Sequence, residues 1–437
     1  MINRLKMVNY RAFREQEILP SKLTLLFGPN NSGKSCIISA IALLSQTLRS
    51  ADPDVPLLFR GELEDLGTYR DAVYGNDYRR QIRLSLGFDF VPERRARSAS
   101  IDLCFGYRSQ RREVILTSST LWSHSGRKLL QTKFSTDADK QVLRYFGGEL
   151  NTGQMAAISN YLEYTHFLPR GTSFIRMRYG DPASHGNFRR VDFVTRAIAN
   201  ELMGLEFIGP LRAAPSRTYL FSGENPASVG RSGEHSVEML VADSRRRGKK
   251  KRGITESVAG WYRNSGMASD LDIKVLTDRH FELTLRHPTT NEAQNIADVG
   301  YGCSQVLPIL VGGFSREPGT TFIVEEPEIH LHPRAQAALG DFFVGLAQSG
   351  IQCIVETHSE HMLLRIQSAV AAGTLEPSDV AVYYVYAPNG EGKAAVRLDI
   401  GKDGFFASEW PEGFFPERLE EAKNLARASV QKEAHNQ

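Results

Sequence analysis

Residues 28–35, Gly28-Pro29-Asn30-Asn31-Ser32-Gly33-Lys34-Ser35, match the pattern GxxxxGK[ST] in full. That pattern suits a polyphosphate, which packs several negative charges into a small volume. Backbone N–H groups must converge on such a group, and a glycine-bearing tight loop lets them. A helix starting behind the loop adds the positive end of its dipole. Lys34 has the reach for β- and γ-phosphates, and Ser35 offers a hydroxyl to Mg2+. Asn30, Asn31, Ser32 and Gly33 complete the candidate loop.

Three further stretches have residue types fit for chemistry. In Phe322-Ile323-Val324-Glu325-Glu326-Pro327-Glu328-Ile329-His330-Leu331-His332-Pro333 an apolar run ends in two adjacent acids. One acid can hold Mg2+, and the next can orient or deprotonate an attacking water. Glu325 is expected in the first role and Glu326 in the second. In Ile354-Val355-Glu356-Thr357-His358-Ser359 another apolar run ends in polar residues, and His358 is the candidate to sense or stabilise a γ-phosphate. In Asp298-Val299-Gly300-Tyr301-Gly302-Cys303-Ser304-Gln305, alternating glycines precede the apolar stretch Val306–Val311, which is expected to begin a helix despite Pro308.

These groups need elements to position them. Residues 23–27 (LTLLF) read as a buried strand, and Ile37, Ile38, Ile41, Leu44 and Leu48 follow helical spacing after Lys34. Strand, loop and helix therefore surround the phosphate motif. TFIV and IQCIV read as strands, 334–348 and 360–372 as helices, and VAVYYVY and AAVRL as closing strands. Such alternation implies a parallel sheet, whose carboxyl edge is where open α/β sheets bind ligands. Residues 80–118 and 272–287 instead alternate apolar and polar, as antiparallel strands with one wet face do. The stretch 138–204 mixes helical spacing with loops. No repeat of fixed period and no sustained heptads occur, so long coiled-coil arms are not expected.

The 437 residues can make one large domain or two to three smaller ones. A composition of 41% hydrophobic and 24% charged residues is that of a globular protein, and no apolar run is long enough to span a bilayer. The first residues, MINRLKMVNYRAF, lack the apolar core of a secretory signal. Cys36, Cys104, Cys303 and Cys353 are scattered, form no CxxC pair, and fit a reducing cytoplasm. Net charge is only +3, but Arg245-Arg246-Arg247-Gly248-Lys249-Lys250-Lys251-Arg252 puts seven cations in eight residues. This run reads either as a solvated loop with no partner or as a contact for a nucleic-acid backbone.

In their order, the phosphate loop, glycine-serine segment, acidic strand and late histidine resemble the ABC ATPase superfamily. EEPEIHLHP and VETHSEHML resemble its RecF/SMC/OLD branch, which serves DNA transactions. More narrowly, LEFIGPLRAAPSRTY (205–219), VGRSGE (229–234), GYGCSQVLPIL (300–310) and WPEGFF (410–415) resemble bacterial AAA-type ATPases with a shared C-terminal domain. The resemblance covers residues 1–60 and about 205–415. It implies an α/β fold, an ABC-type ATPase head: a P-loop NTPase mixed sheet with an antiparallel β-subdomain and a large central α/β insertion. It implies that Glu326 and His358 are catalytic, that Ser35 and Glu325 hold the metal, and that Arg11 and Phe13 contact nucleotide. Gly302 and Ser304 match the signature that completes a partner subunit's site, and His332 falls where a D-loop Asp usually lies. Three departures stand out: the signature is not LSGGQ, Glu replaces Asp at 325, and Gly61–Gly67 has no Q-loop glutamine.

The expected domains are an N-terminal lobe with the phosphate loop (1–95), an inserted β-rich and helical region for dimerisation or partners (96–290), and a C-terminal lobe (291–437). The expected cofactors are ATP and Mg2+, in a cytoplasmic homodimer or higher homo-oligomer closed on ATP. The leading reading is an ATPase that controls a separate nuclease or toxin, as in the Septu and PARIS types of phage defence. The alternatives are a RecF-like DNA repair ATPase, with DNA on Arg245–Arg252, and a non-hydrolysing ATP-clamped scaffold. A transporter motor and a membrane partner are not expected.

Overall fold

The computed structural model describes residues 1–90, 98–134, 141–146, 162–170, 182–248, 251–387 and 392–408. The WPEGFF segment, Lys249 and Lys250 lie outside the described residues, as does much of 138–204. The chain opens with a hairpin, β1 (Ile2–Tyr10) and β2 (Phe13–Ile18), then β3 (Leu23–Phe27), the phosphate loop and α1 (Lys34–Leu48). After the short helix α2 (Tyr69–Ala72) come β4 (Ile82–Asp89), β5 (Ser98–Arg108), β6 (Glu113–Ser123), β7 (Lys128–Phe134) and β8 (Gln141–Phe146). With the first hairpin these form one antiparallel sheet in the order β2-β1-β4-β5-β6-β7-β8. A boundary at residue 95 falls between β4 and β5, neighbours in that sheet.

The ribbon of β9 (Glu163–Thr165) and β10 (Leu168–Arg170) precedes α3 (Pro182–Met203) and β11 (Glu206–Ile208). A small sheet follows, of β12 (Tyr219–Leu220), β13 (Asp270–Val275), β14 (His280–Arg286) and β15 (Ala293–Asn295). Between its first two strands run α4 (Ser236–Ser244) and α5 (Ile254–Ser265). The chain then alternates α6 (Tyr301–Phe314), β16 (Thr321–Glu325), α7 (Pro333–Gln348), β17 (Gln352–Glu356), α8 (Glu360–Ala371), β18 (Val380–Tyr386) and β19 (Ala394–Leu398).

The central sheet has the order β11-β16-β17-β3-β18-β19, parallel except for its last strand. Both faces are covered, which explains runs such as LTLLF with every residue buried. Leu26, Ile323, Ile354 and Val385 face α1, α3 and the antiparallel sheet. Leu25, Val324, Val355 and Val382 face α4 to α8. Parallel strands end on one edge, so the phosphate loop and both polar strand ends open together, with β17 seated between β16 and β3. This is the α/β architecture expected, a mixed sheet carrying the phosphate loop with an antiparallel β-subdomain.

One local expectation needs correction. The helix expected over Val306–Val311 starts earlier, at Tyr301, and runs through Pro308. Burial of Ser304 through Gly313 outweighs the hydrogen bond that a proline removes. Within the cationic run, Arg245, Lys251 and Arg252 are exposed and have partners in the chain. The Arg245 guanidinium lies 4.9 Å from the Phe221 ring centroid and 5.0 Å from that of Phe281. Arg252 pairs with Glu317, and Lys251 with Glu256. Among the described residues, no helix is long and apolar enough to cross a membrane.

Gln352, at the start of β17, ties the two sheets together. It is 2% exposed and satisfied on both ends of its amide. Its Oε1 accepts from Ile2 N (2.7 Å) and Thr321 Oγ1 (2.9 Å), while Nε2 donates to Ile2 O (2.6 Å) and Ser21 O (3.1 Å). Gln352→Leu leaves the backbone of Ile2 buried without partners. It is expected to destabilise the chain by about 2–4 kcal/mol in urea unfolding; a loss under about 0.5 kcal/mol contradicts the latch.

Candidate functional site

The phosphate loop is shaped by three residues of positive φ, Gly28 (146°), Asn31 (61°) and Gly33 (112°). Gly33 caps α1, and a Cβ there would press within 3.1 Å of the Phe13 ring, so the β1–β2 turn buttresses the loop. Asn30, Asn31 and Ser35 are exposed, whereas Ser32 and Lys34 are buried. Lys34 Nζ donates to the carbonyls of Gly28 and Pro29, both at 3.0 Å. Burial lowers its pKa, opposed by Glu356, Glu326 and Glu328. Lys34 thus lies within electrostatic reach of both polar strand ends.

Glu356 joins the two halves of the site. Its Oε1 accepts from Ser35 Oγ at 3.1 Å and lies 3.8 Å from Lys34 Nζ. Its backbone carbonyl accepts from Glu326 N at 2.8 Å. Across the parallel pair, Glu356 is in register with Glu325. Glu325 is buried, with Oε1 unpartnered. Its pKa is pushed up to about 8, first by burial, then by Glu356 and Glu64, against Arg231. Burial likewise raises Glu356, against Lys34, and raises Glu328.

Glu326 takes a left-handed conformation (φ 44°), uncommon for a residue with a Cβ. Arg212 holds this turn from below: its Nη2 donates to the carbonyls of Glu325 (2.7 Å) and Glu326 (3.0 Å). Burial pushes the Arg212 pKa down to about 10, so the guanidinium stays charged at neutral pH, facing Glu328, Glu326 and Glu325. The His358 backbone N donates to Glu328, which sets the next loop against the acidic turn. The His358 imidazole has a lowered pKa, through desolvation and then Lys34, opposed by Glu326. It is therefore neutral at pH 7 and shares the surroundings of Lys34 and Glu326.

The remaining candidates lie elsewhere. His332 is exposed and caps α7, its Nδ1 accepting from Arg334 N at 3.3 Å. Gly302 packs against the loop after β16: a Cβ would sit 2.5 Å from the His330 carbonyl oxygen. Ser304 is buried and donates to Tyr301 O at 2.9 Å. Among the described residues, Gly302, Ser304 and His332 make no hydrogen bond or ion pair to the phosphate loop. The Arg11 amide is fixed to Ala72 O at 2.7 Å, and its charge acts on Glu64. Glu64, in the segment without a Q-loop glutamine, lies 3.5 Å from Arg231 and raises the pKa of Glu325.

The sequence reading passed over Glu356, Glu328 and Arg212, although all three lie in stretches it singled out. It also missed Lys393, whose Nζ donates to the Asn31 carbonyl from the start of β19. No local pattern marks Lys393; only the fold brings it to the loop.

The residues fit a nucleotide with Mg2+. Ser32 Oγ, Glu325 Oε1 and Glu356 Oε2 are buried without partners, beside Lys34 and the start of α1. Among the described residues, no three His, Cys, Asp or Glu side chains are grouped to hold a metal alone. That suits magnesium, which takes one or two carboxylates and completes its shell with phosphate and water.

The Glu325 pKa has a consequence for stability. Unfolded glutamate loses its proton near 4.5, whereas Glu325 keeps it to about pH 8. Between those values the native chain binds more protons, so stability falls as pH rises through the window. Below the window both states are protonated and nothing is lost. Glu325→Gln is expected to raise the unfolding midpoint of the nucleotide-free chain at pH 8, with little gain at pH 4.5. The ceiling is about 1.4 kcal/mol per pH unit of the window. A pH-independent difference in thermal unfolding contradicts this.

Comparison with known proteins agrees with this geometry. Residues 1–157 match the family described as “AAA ATPase domain”. Residues 178–363 match the one described as “AAA domain, putative AbiEii toxin, Type IV TA system”. A stretch of 65 residues is 35% identical to the “Old nuclease” of Escherichia phage P2, spanning 15% of this chain and only 11% of that protein. Among solved structures, the SMC head domain from Thermotoga maritima is similar at 11% identity, with a TM-score of 0.40 over 91% of this chain and 99% of that one. An Smc head bound to the C-winged helix domain of ScpA is similar at 12% identity and a TM-score of 0.45, covering 92% and 98%. An Smc head with an extended coiled coil, bound to the C-terminal domain of ScpA derived from Pyrococcus furiosus, is similar at 10% identity and 0.45, covering 98% and 99%. At these values the fold assignment rests on the chain's own strand order and motif placement. Two segments similar to AAA-domain families, on a sheet that brings their motifs to one edge, are the ground for a functional reading.

Proposed function

We propose that this chain binds ATP with Mg2+, hydrolyses it, and uses the cycle to control a separate effector, a nuclease or toxin, in antiviral defence. The observation that carries the ATPase reading is the chain of contacts Ser35–Glu356–Glu326, which joins the phosphate loop to the acidic turn. Asn30 through Lys34 hold the phosphates. Ser35 and a carboxylate at the strand ends would hold the metal, which when bound neutralises phosphate charge; the sequence offers Glu325 for that place. Glu326 orients or deprotonates the attacking water, its turn fixed by Arg212. Neutral His358 is placed to donate to the γ-phosphate without adding charge. Gly302, Ser304 and His332 are read as facing a second copy across an ATP-closed interface, with Arg11 and the inserted region at its margin. Hydrolysis would then remove the contacts that favour closure.

The effector reading rests on family resemblance and on the short similarity to the phage nuclease. Two acids late in the chain have local partners: Asp399 pairs with Arg397 at 2.8 Å, and Asp403 accepts from Phe405 N at 3.1 Å. A DNA-repair role is the second reading. Arg245, Lys251 and Arg252 have intramolecular partners, which weakens it, and DNA-stimulated turnover of the purified chain would favour it. Multiple-turnover phosphate release would exclude an ATP-clamped scaffold.

Glu326→Gln is expected to bind ATP, to lower turnover at least about a hundredfold, and to persist as a closed oligomer in native mass measurements. Lys34→Ala serves as the control that loses nucleotide. Wild-type turnover in Glu326→Gln removes Glu326 from the reaction.

A further inference from the structure

The sequence offers Glu325 as the magnesium carboxylate, yet the side chain beside Ser35 is that of Glu356. We propose that Glu356 holds the metal of a bound magnesium nucleotide, with its Oε1 and the Ser35 hydroxyl as adjacent ligands. This deepens the nucleotide reading above and rests on it.

The spacing is the first argument. Ser35 Oγ and Glu356 Oε1 lie 3.1 Å apart. Magnesium holds six oxygens octahedrally at about 2.0–2.1 Å, which places neighbouring ligands about 3 Å from each other. The second argument is the other oxygen: Glu356 is 3% exposed, and its Oε2 is buried with no hydrogen-bond partner. A carboxylate buried only for structure would have both oxygens satisfied, because leaving one unpaired is costly. The third is topology. Strand β17 separates β16 from β3, so Glu325 lies one strand further from the phosphate loop, a spacing of about 4.8 Å. Glu325 then supports the ion from behind Glu356.

The test measures manganese affinity by electron paramagnetic resonance, with a non-hydrolysable ATP analogue and the full chain. Wild type, Glu356→Gln, Glu325→Gln and Lys34→Ala are compared. Metal-free nucleotide binding in EDTA and thermal unfolding are recorded for each. Glu356→Gln is expected to weaken manganese binding at least about tenfold and to exceed the loss in Glu325→Gln, with the metal-free affinity in EDTA as the baseline for each variant. Wild-type manganese affinity in a folded Glu356→Gln overturns the proposal and leaves Glu356 a structural partner of Lys34. If Glu356→Gln does not fold, Glu356→Asp, which withdraws the carboxylate by one methylene, is expected to weaken manganese binding; unchanged manganese affinity there overturns the proposal equally. Failure of the wild type to bind the analogue with or without metal sinks the nucleotide reading itself, a result distinct from the other outcomes.

Discussion

Negative charge is crowded into the dry end of a parallel sheet, and the rest of the architecture answers to that crowding. Glu325, Glu326, Glu328 and Glu356 cluster at the ends of two neighbouring strands, and Lys34, Arg212 and Arg231 are cations that act on them. Four acids against three bases still leave an excess that burial makes expensive. Burial first, and the neighbouring carboxylates after it, raise the pKa values of Glu325, Glu328 and Glu356. A triphosphate would add further negative charge. It can join these carboxylates only with a divalent cation between them, which gives the cluster its chemical sense.

The fold maintains this arrangement from several directions. β17 places Glu356 between the acidic strand and the phosphate-loop strand, and Gln352 at its other end fixes that strand to the first residues of the chain. Arg212 reaches up under the turn and satisfies two carbonyls where Glu326 leaves the strand in a left-handed conformation. The antiparallel sheet is part of the same device: its first turn sets Phe13 against Gly33 and Arg11 near Glu64. Removing any of these supports would move the acids relative to Lys34 without touching the acids themselves.

Much of this was legible in the amino-acid order, because the strongest signals are local. A strand, a glycine-bearing loop and a helix around Lys34 follow from spacing alone, as do the apolar strands that end in Glu325 and Glu356. The antiparallel alternation from Ile82 onward appears as paired strands. What stayed hidden depends on strand order. Glu356 reads as an ordinary polar residue after Ile354 and Val355 until β17 is known to lie beside β3. Arg212 lacks a neighbouring acid in sequence, and Lys393 reaches Asn31 only because β19 closes the sheet beside β18. Tertiary packing also overrode one local signal: α6 runs through Pro308.

The central claim is that the buried carboxylates at the strand ends, with Glu325 holding its proton to about pH 8, receive a magnesium nucleotide beside Lys34. The most direct measurement is the heat of binding of magnesium ATP at pH 7, with magnesium in excess, in buffers of different ionisation enthalpy. The account predicts a buffer dependence that reports release of roughly one proton per site as the cation displaces it. Heats that do not change with buffer, or that report proton uptake, would contradict it.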